Sequence, residues 1–191
     1  MPSPAGASLF LLGLASGLSL LTLTAYRRVS PAWLKRLLAV GALCLLSRYV
    51  AMAAFATAAS PERIRILHRV GWFAILLGLI LPSVFAIDQL LRHPAMTPKK
   101  LLVRCSPFLA AFSTAAPFPW WRWILHVSFA LAFAAFCALL IRKIPSRPIR
   151  LALLGLVIGQ CALALGGLYA EMAMLLALWY AYETSASLQT S

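Results

Sequence analysis

The chain is expected to fold as an all-α, polytopic bundle of transmembrane helices, with about seven spans and the N-terminus outside, and three observations lead there. Of its 191 residues 63% are hydrophobic and 11% charged, whereas soluble domains carry about 25% charged residues. Apolar runs of bilayer-crossing length recur, most plainly in residues 69–92, RVGWFAILLGLILPSVFAIDQLLR, where about 20 apolar residues stand between two arginines. The third observation is a repeated start signal. Ser3-Pro4, Ser30-Pro31, Ser60-Pro61 and Thr97-Pro98 each offer a hydroxyl for an N-cap and a proline for the first helical position ahead of an apolar run. The length leaves room for about six or seven such spans and short loops, so residues 1–191 read as one integral membrane domain with no soluble domain.

Taken in order, the first span covers about Leu9 to Tyr26 and is followed directly by Arg27 and Arg28. No lysine or arginine precedes it, which is the reverse of a cleaved signal peptide and fits a retained span with its N-terminus outside. The next spans are placed at about Pro31 to Ala58, Pro61 to Leu91 and Pro98 to Ala116. Within the fourth, Ser106-Pro107 repeats the start signal, so the choice is a kinked span, with an interfacial helix and re-entrant piece as the alternative. Pro117 to Trp123 reads as a tight connection whose three tryptophans and arginine suit the headgroup level. A fifth span, about Trp121 to Ile141, closes on Arg142-Lys143, and Ile144 to Arg150 forms the next loop. Residues 149–182 are predominantly apolar; as one helix they would run about 50 Å and overshoot the hydrocarbon core. A break at Gly166-Gly167 divides them into a sixth and a seventh span, and six spans remain if the run is a single helix.

The formal net charge is +13. Basic residues at the ends of apolar segments meet anionic lipid headgroups and set orientation rather than bind nucleic acid. The first, third and fifth loops hold twelve of them: Arg27, Arg28, Lys35, Arg36, Arg92, Lys99, Lys100, Arg104, Arg142, Lys143, Arg147 and Arg150. The opposite face holds four: Arg63, Arg65, Arg69 and Arg122. The bias places the odd loops in the cytoplasm, as expected for a bacterial cytoplasmic (inner) membrane protein. No internal repeat relates the two halves.

Chemistry-bearing motifs are scarce. Cys44, Cys105, Cys137 and Cys161 lie in or beside apolar segments without CxxC spacing and read as small buried residues rather than a disulfide or zinc framework. No Gly-rich phosphate loop, metal-ligand cluster or nucleophile-base spacing appears, so no cofactor and no metal is implied and catalysis is disfavoured. GLASG in the first span and GLVIG in the sixth place glycines four apart, which suits close helix packing in lipid.

Ionisable groups at membrane depth are therefore the candidate binding residues. Arg48 lies near the middle of the second span and needs an anionic or carbonyl partner; Asp88, near the end of the third, is the expected one, as a structural pair or a site for an anion or proton. Pro82, in the same span, is expected to kink it. His126 and Glu171, with Gln160 deeper, form a second group near the outer face that is expected to share a hydrogen-bonded network. Tyr49, Trp72, Trp179, Tyr180 and Tyr182 read as belt or core aromatics.

Three functions follow from this pattern. A sensor or accessory subunit, binding a lipid, a small molecule or the helix of another membrane protein within the bundle, accounts best for short loops and few embedded polar groups. The alternatives are a small-solute or ion transporter using an Arg48/Asp88 site, and a lipid-modifying enzyme using His126 and Glu171.

Overall fold

The computed structural model describes residues 4–29, 31–55, 62, 71–91 and 119–190, and among them there is no strand. Six helices account for the described chain: α1 (Pro4–Tyr26), α2 (Ala32–Phe55), α3 (Gly71–Leu90), α4 (Pro119–Lys143), α5 (Arg147–Leu165) and α6 (Leu168–Thr190). Five of the six, α1 to α5, are long and apolar enough to cross a membrane. Large apolar side chains face outward along them, Leu131 at 65% and Leu139 at 61% exposure among them, which agrees with a lipid-facing surface. The fold is thus all-helical and consistent with an integral membrane protein. The expected fourth span, with Ser60-Pro61, Thr97-Pro98, Ser106-Pro107 and Cys105, lies outside the described residues.

Local chemistry sets the helix ends. Pro31 takes the cap position rather than the first helical one, its carbonyl accepting from Lys35 N at 3.2 Å. The expected loop from Ile144 to Arg150 shrinks to Ile144–Ser146, because Pro148 fits the first turn of α5, where a missing N–H costs nothing. In the same way Trp120 and Trp123 belong to the first turns of α4 rather than to a loop. The apolar run after Arg150 does break where its two glycines stand: Gly166 and Gly167 take φ of +81° and +94°, and Gly166 N donates to Ala162 O and Leu163 O. Side chains with a Cβ seldom adopt that backbone, so the turn depends on glycine.

Helix α6 packs against α1, α3 and α5, and α2 packs against α1 and α3. α1, α3 and α6 run in one direction. Thr22 Oγ1 meets Leu175 O at 3.4 Å, Tyr182 Oη donates to Pro82 O at 2.9 Å, and Ser185 Oγ donates to Gln89 O at 3.4 Å. α2 runs against them, crossing α3 where Gly41 and Gly78 face each other. A Cβ on Gly78 would stand 2.8 Å from Gly41 O, and one on Gly41 would collide with Leu77 O. This crossing, unlike the GLASG of α1, is a close approach between neighbouring helices. Gly13 and Gly17 face open space, whereas Gly159 of GLVIG does pack tightly, 2.6 Å from Met174 Sδ when given a Cβ.

The middle of α3 departs from α geometry. Leu76–Ile80 form a π-helical turn in which Leu81 N bonds Leu76 O. An α-helical bond to Leu77 O from Leu81 is thereby given up, and Pro82 has no N–H to replace it. That carbonyl instead abuts the Cα of Gly41, the contact a Cα–H group makes with a carbonyl at close helix crossings. Pro82 is accommodated through the π turn.

Candidate functional site

Arg48 projects from α2 one turn beyond Leu45, beside the buried strip Leu34, Leu38, Gly41, Ala42, Leu45 and Tyr49. Its guanidinium makes a two-pronged ion pair with Glu171 of α6: Nη1 donates to Oε2, and Nη2 to Oε1 at 2.9 Å. Tyr49 Oη donates to the same Oε2 at 2.7 Å. Both charged side chains are largely enclosed, at 12% and 7% exposure. The parallel prongs use the planar complementarity of guanidinium and carboxylate. Glu171 also stands in the first turn of α6, where the helix dipole favours a negative group. Arg48 fits because position 71 is glycine: a Cβ there would lie 2.7 Å from Nε. The Arg48 Cζ stands 5.5 Å from the centre of the Tyr49 ring.

The expected pairing of Arg48 with Asp88 is replaced by this one, and helix register explains why. With Gly41 opposite Gly78 in an antiparallel crossing, Arg48 falls beside Gly71. Asp88 stands at the other end of α3, about 25 Å further along at 1.5 Å per residue. It lies in the last turn of α3, beside the end where Trp33 of α2 meets Phe85 edge-on at 6.2 Å.

Glu171 and Gln160 take different hydrogen-bond partners. His126 of α4 is buried with its ring 5.8 Å from that of Trp72 on α3. Gln160 of α5, at 0% exposure, donates from Nε2 to Ser83 Oγ at 2.6 Å, and Ser83 donates to Ile80 O at 2.7 Å. The Gln160 carbonyl oxygen is buried with no hydrogen-bond partner among the described residues, as is the Tyr26 hydroxyl. Tyr26 meets Tyr182 edge-on at 4.8 Å. Of the cysteines, Cys137 is buried and Cys44 partly so, while Cys161 is exposed on α5, contrary to the buried reading.

No family model, curated protein or solved structure matches the chain. Sequence reasoning selected Arg48, Glu171 and Gln160 but paired them differently, and it passed over Ser83, Gly71 and the Gly41/Gly78 crossing. A glycine on each of two consecutive spans was the available signal for that crossing. Its register depends on the π turn, which no local pattern announces.

Proposed function

We propose that this chain is a multi-pass membrane protein acting as a sensor or accessory subunit, one that binds a lipid, a small molecule or a partner helix and transmits that contact through its bundle. One observation carries the reading: four enclosed polar side chains, Arg48, Tyr49, Gln160 and Tyr182, form bonds between helices. Arg48 and Tyr49 tie α2 to α6, Gln160 ties α5 to α3, and Tyr182 ties α6 to α3. A transport path needs polar groups that face a passage. Here Arg48 and Asp88 stand apart, so the transport alternative lacks its expected pair.

The same reading takes seven spans and an outside N-terminus. α3 and α4 begin at one end of the bundle, where Trp72 meets His126. The link between them joins opposite ends, which supports an additional crossing there, and α6 runs beside α1 along the bundle as a seventh. The ends of α1, α2, α4 and α5 that carry Arg27, Arg28, Lys35, Arg36, Arg142, Lys143, Arg147 and Arg150 then share one side. By the positive-inside rule that side is the cytoplasm of a bacterial inner membrane.

Native mass spectrometry of the protein extracted mildly from its own membrane tests the function, alongside a solute-flux assay in vesicles. A retained small molecule, lipid or co-purifying protein is the expected result. A bare chain that carries solute across the vesicle membrane would overturn the proposal.

A further inference from the structure

The α4–α5 hairpin gathers four cations around a three-residue link. Arg142 and Lys143 close α4, Ile144–Ser146 join the helices, and Arg147 and Arg150 stand in the first turn of α5. All four side chains are exposed, and none forms an ion pair among the described residues. On the α1–α2 hairpin, by contrast, Arg28 is bound to Glu183 at 2.9 Å.

The cations also sit at the head of an apolar surface. Phe136 and Leu139 on α4, and Leu151, Leu154 and Ile158 on α5, are exposed at helical spacing and run away from the basic link. Two pairs of cations, one on each of two adjoining helices, above two apolar strips, match the shape of a lipid with more than one headgroup charge. Ser146 adds no side-chain cap to α5, so the positive end of that helix faces the same place.

We propose that the α4–α5 hairpin is a binding site for an anionic phospholipid whose headgroup carries two phosphates, as cardiolipin does. Arg142 with Lys143 engages one phosphate and Arg147 with Arg150 the other, while the acyl chains lie along the exposed faces of α4 and α5. Guanidinium groups grip phosphate oxygens in pairs, and each basic residue near a membrane surface strengthens anionic-lipid binding several-fold. The site rests on the chain being membrane-embedded, but it lies outside the bundle interior and is separate from the ligand or partner proposed there.

The test is native mass spectrometry of the full chain titrated with cardiolipin, with monophosphate phosphatidylglycerol and with zwitterionic phosphatidylcholine, and with inorganic pyrophosphate as competitor. Wild type is expected to bind them in that falling order. Replacing Arg142, Lys143, Arg147 and Arg150 together by Gln is expected to weaken cardiolipin binding on the order of a thousandfold. The matched replacement of Arg27, Arg28, Lys35 and Arg36 should weaken it less, because Glu183 already offsets part of that charge. Single Arg147→Gln and Arg150→Gln variants, each with a fractional loss, guard against a quadruple variant that inserts wrongly. Equal cardiolipin binding by wild type and the α4–α5 variants would overturn the site. So would equal losses from the two hairpins, or pyrophosphate displacing the lipid completely at equal concentration. Any of these results leaves the accessory-subunit reading standing, since that depends on what is retained or co-purified.

Discussion

At one end of the bundle Arg48 lies between helices with both prongs of its guanidinium held by Glu171, and the carboxylate also receives Tyr49. At the other end eight basic residues project from two hairpins, and of these Arg28 is paired, with Glu183. The difference follows from where water is. An enclosed charge away from water needs a counter-charge and hydrogen bonds in the fold itself, whereas a charge at the membrane surface has headgroups and water for partners. The first end therefore ties α2 to α6, and the second is the end that the proposals above give to lipid.

The sharpest way to break that contrast is to remove one partner inside. Glu171→Ala leaves the Arg48 cation enclosed and is expected to destabilise the protein by about 3–5 kcal/mol, read as a lowered unfolding midpoint in detergent. Replacing both residues with apolar ones of similar volume, as in Arg48→Met with Glu171→Leu, should recover much of that loss. If the single variant melts with wild type, the enclosed end is not a brace.

The next effect in size concerns the crossing that sets the register. Gly41→Ala pushes a methyl into Leu77 O and is expected to cost about 1–3 kcal/mol. Gly13→Ala, at a site with nothing within 4 Å, should be neutral or stabilising by about 0.5–1 kcal/mol, since alanine is the better helix former. Thermal unfolding of the two variants side by side separates a close approach from a coincidental glycine.

Comparable in size is the polar tie between α5 and α3. Ser83→Ala leaves the Gln160 amide without its acceptor and should cost about 1–3 kcal/mol, whereas Gln160→Leu removes the donor together with the unpartnered carbonyl and should lie near neutral. Amide exchange along α3 would register the first as faster opening and the second as little change. At the smallest end, Arg28→Ala breaks a pair whose side chains are 66% and 31% exposed, and at most about 1 kcal/mol is expected from it in unfolding experiments.

Much of this architecture is legible in the sequence. Apolar length and terminal cations mark α1 to α5, and Gly166-Gly167 marks the break that separates α5 from α6, because each of these signals acts locally. α6 itself is less plain, since Glu171, Glu183 and the polar stretch Thr184 to Ser187 dilute its hydropathy even though it packs against three other helices. The site was legible as residues but not as pairs. Arg48 announces itself by its depth, yet its partner depends on the helix register fixed at Gly41 and Gly78 and on the π turn ahead of Pro82. Those are properties of two surfaces meeting, so hydropathy pointed to Asp88 on the adjacent span when the carboxylate that reaches Arg48 comes from the last helix.

A double-mutant cycle at Arg48 and Glu171, run beside one at Arg48 and Asp88, tests the enclosed brace most directly. Unfolding free energies of Arg48→Ala, Glu171→Ala, Asp88→Ala and the two doubles should give a coupling of about 2 kcal/mol or more for the first pair and near zero for the second. Additive effects at Arg48 and Glu171, or a strong coupling between Arg48 and Asp88, would contradict the account.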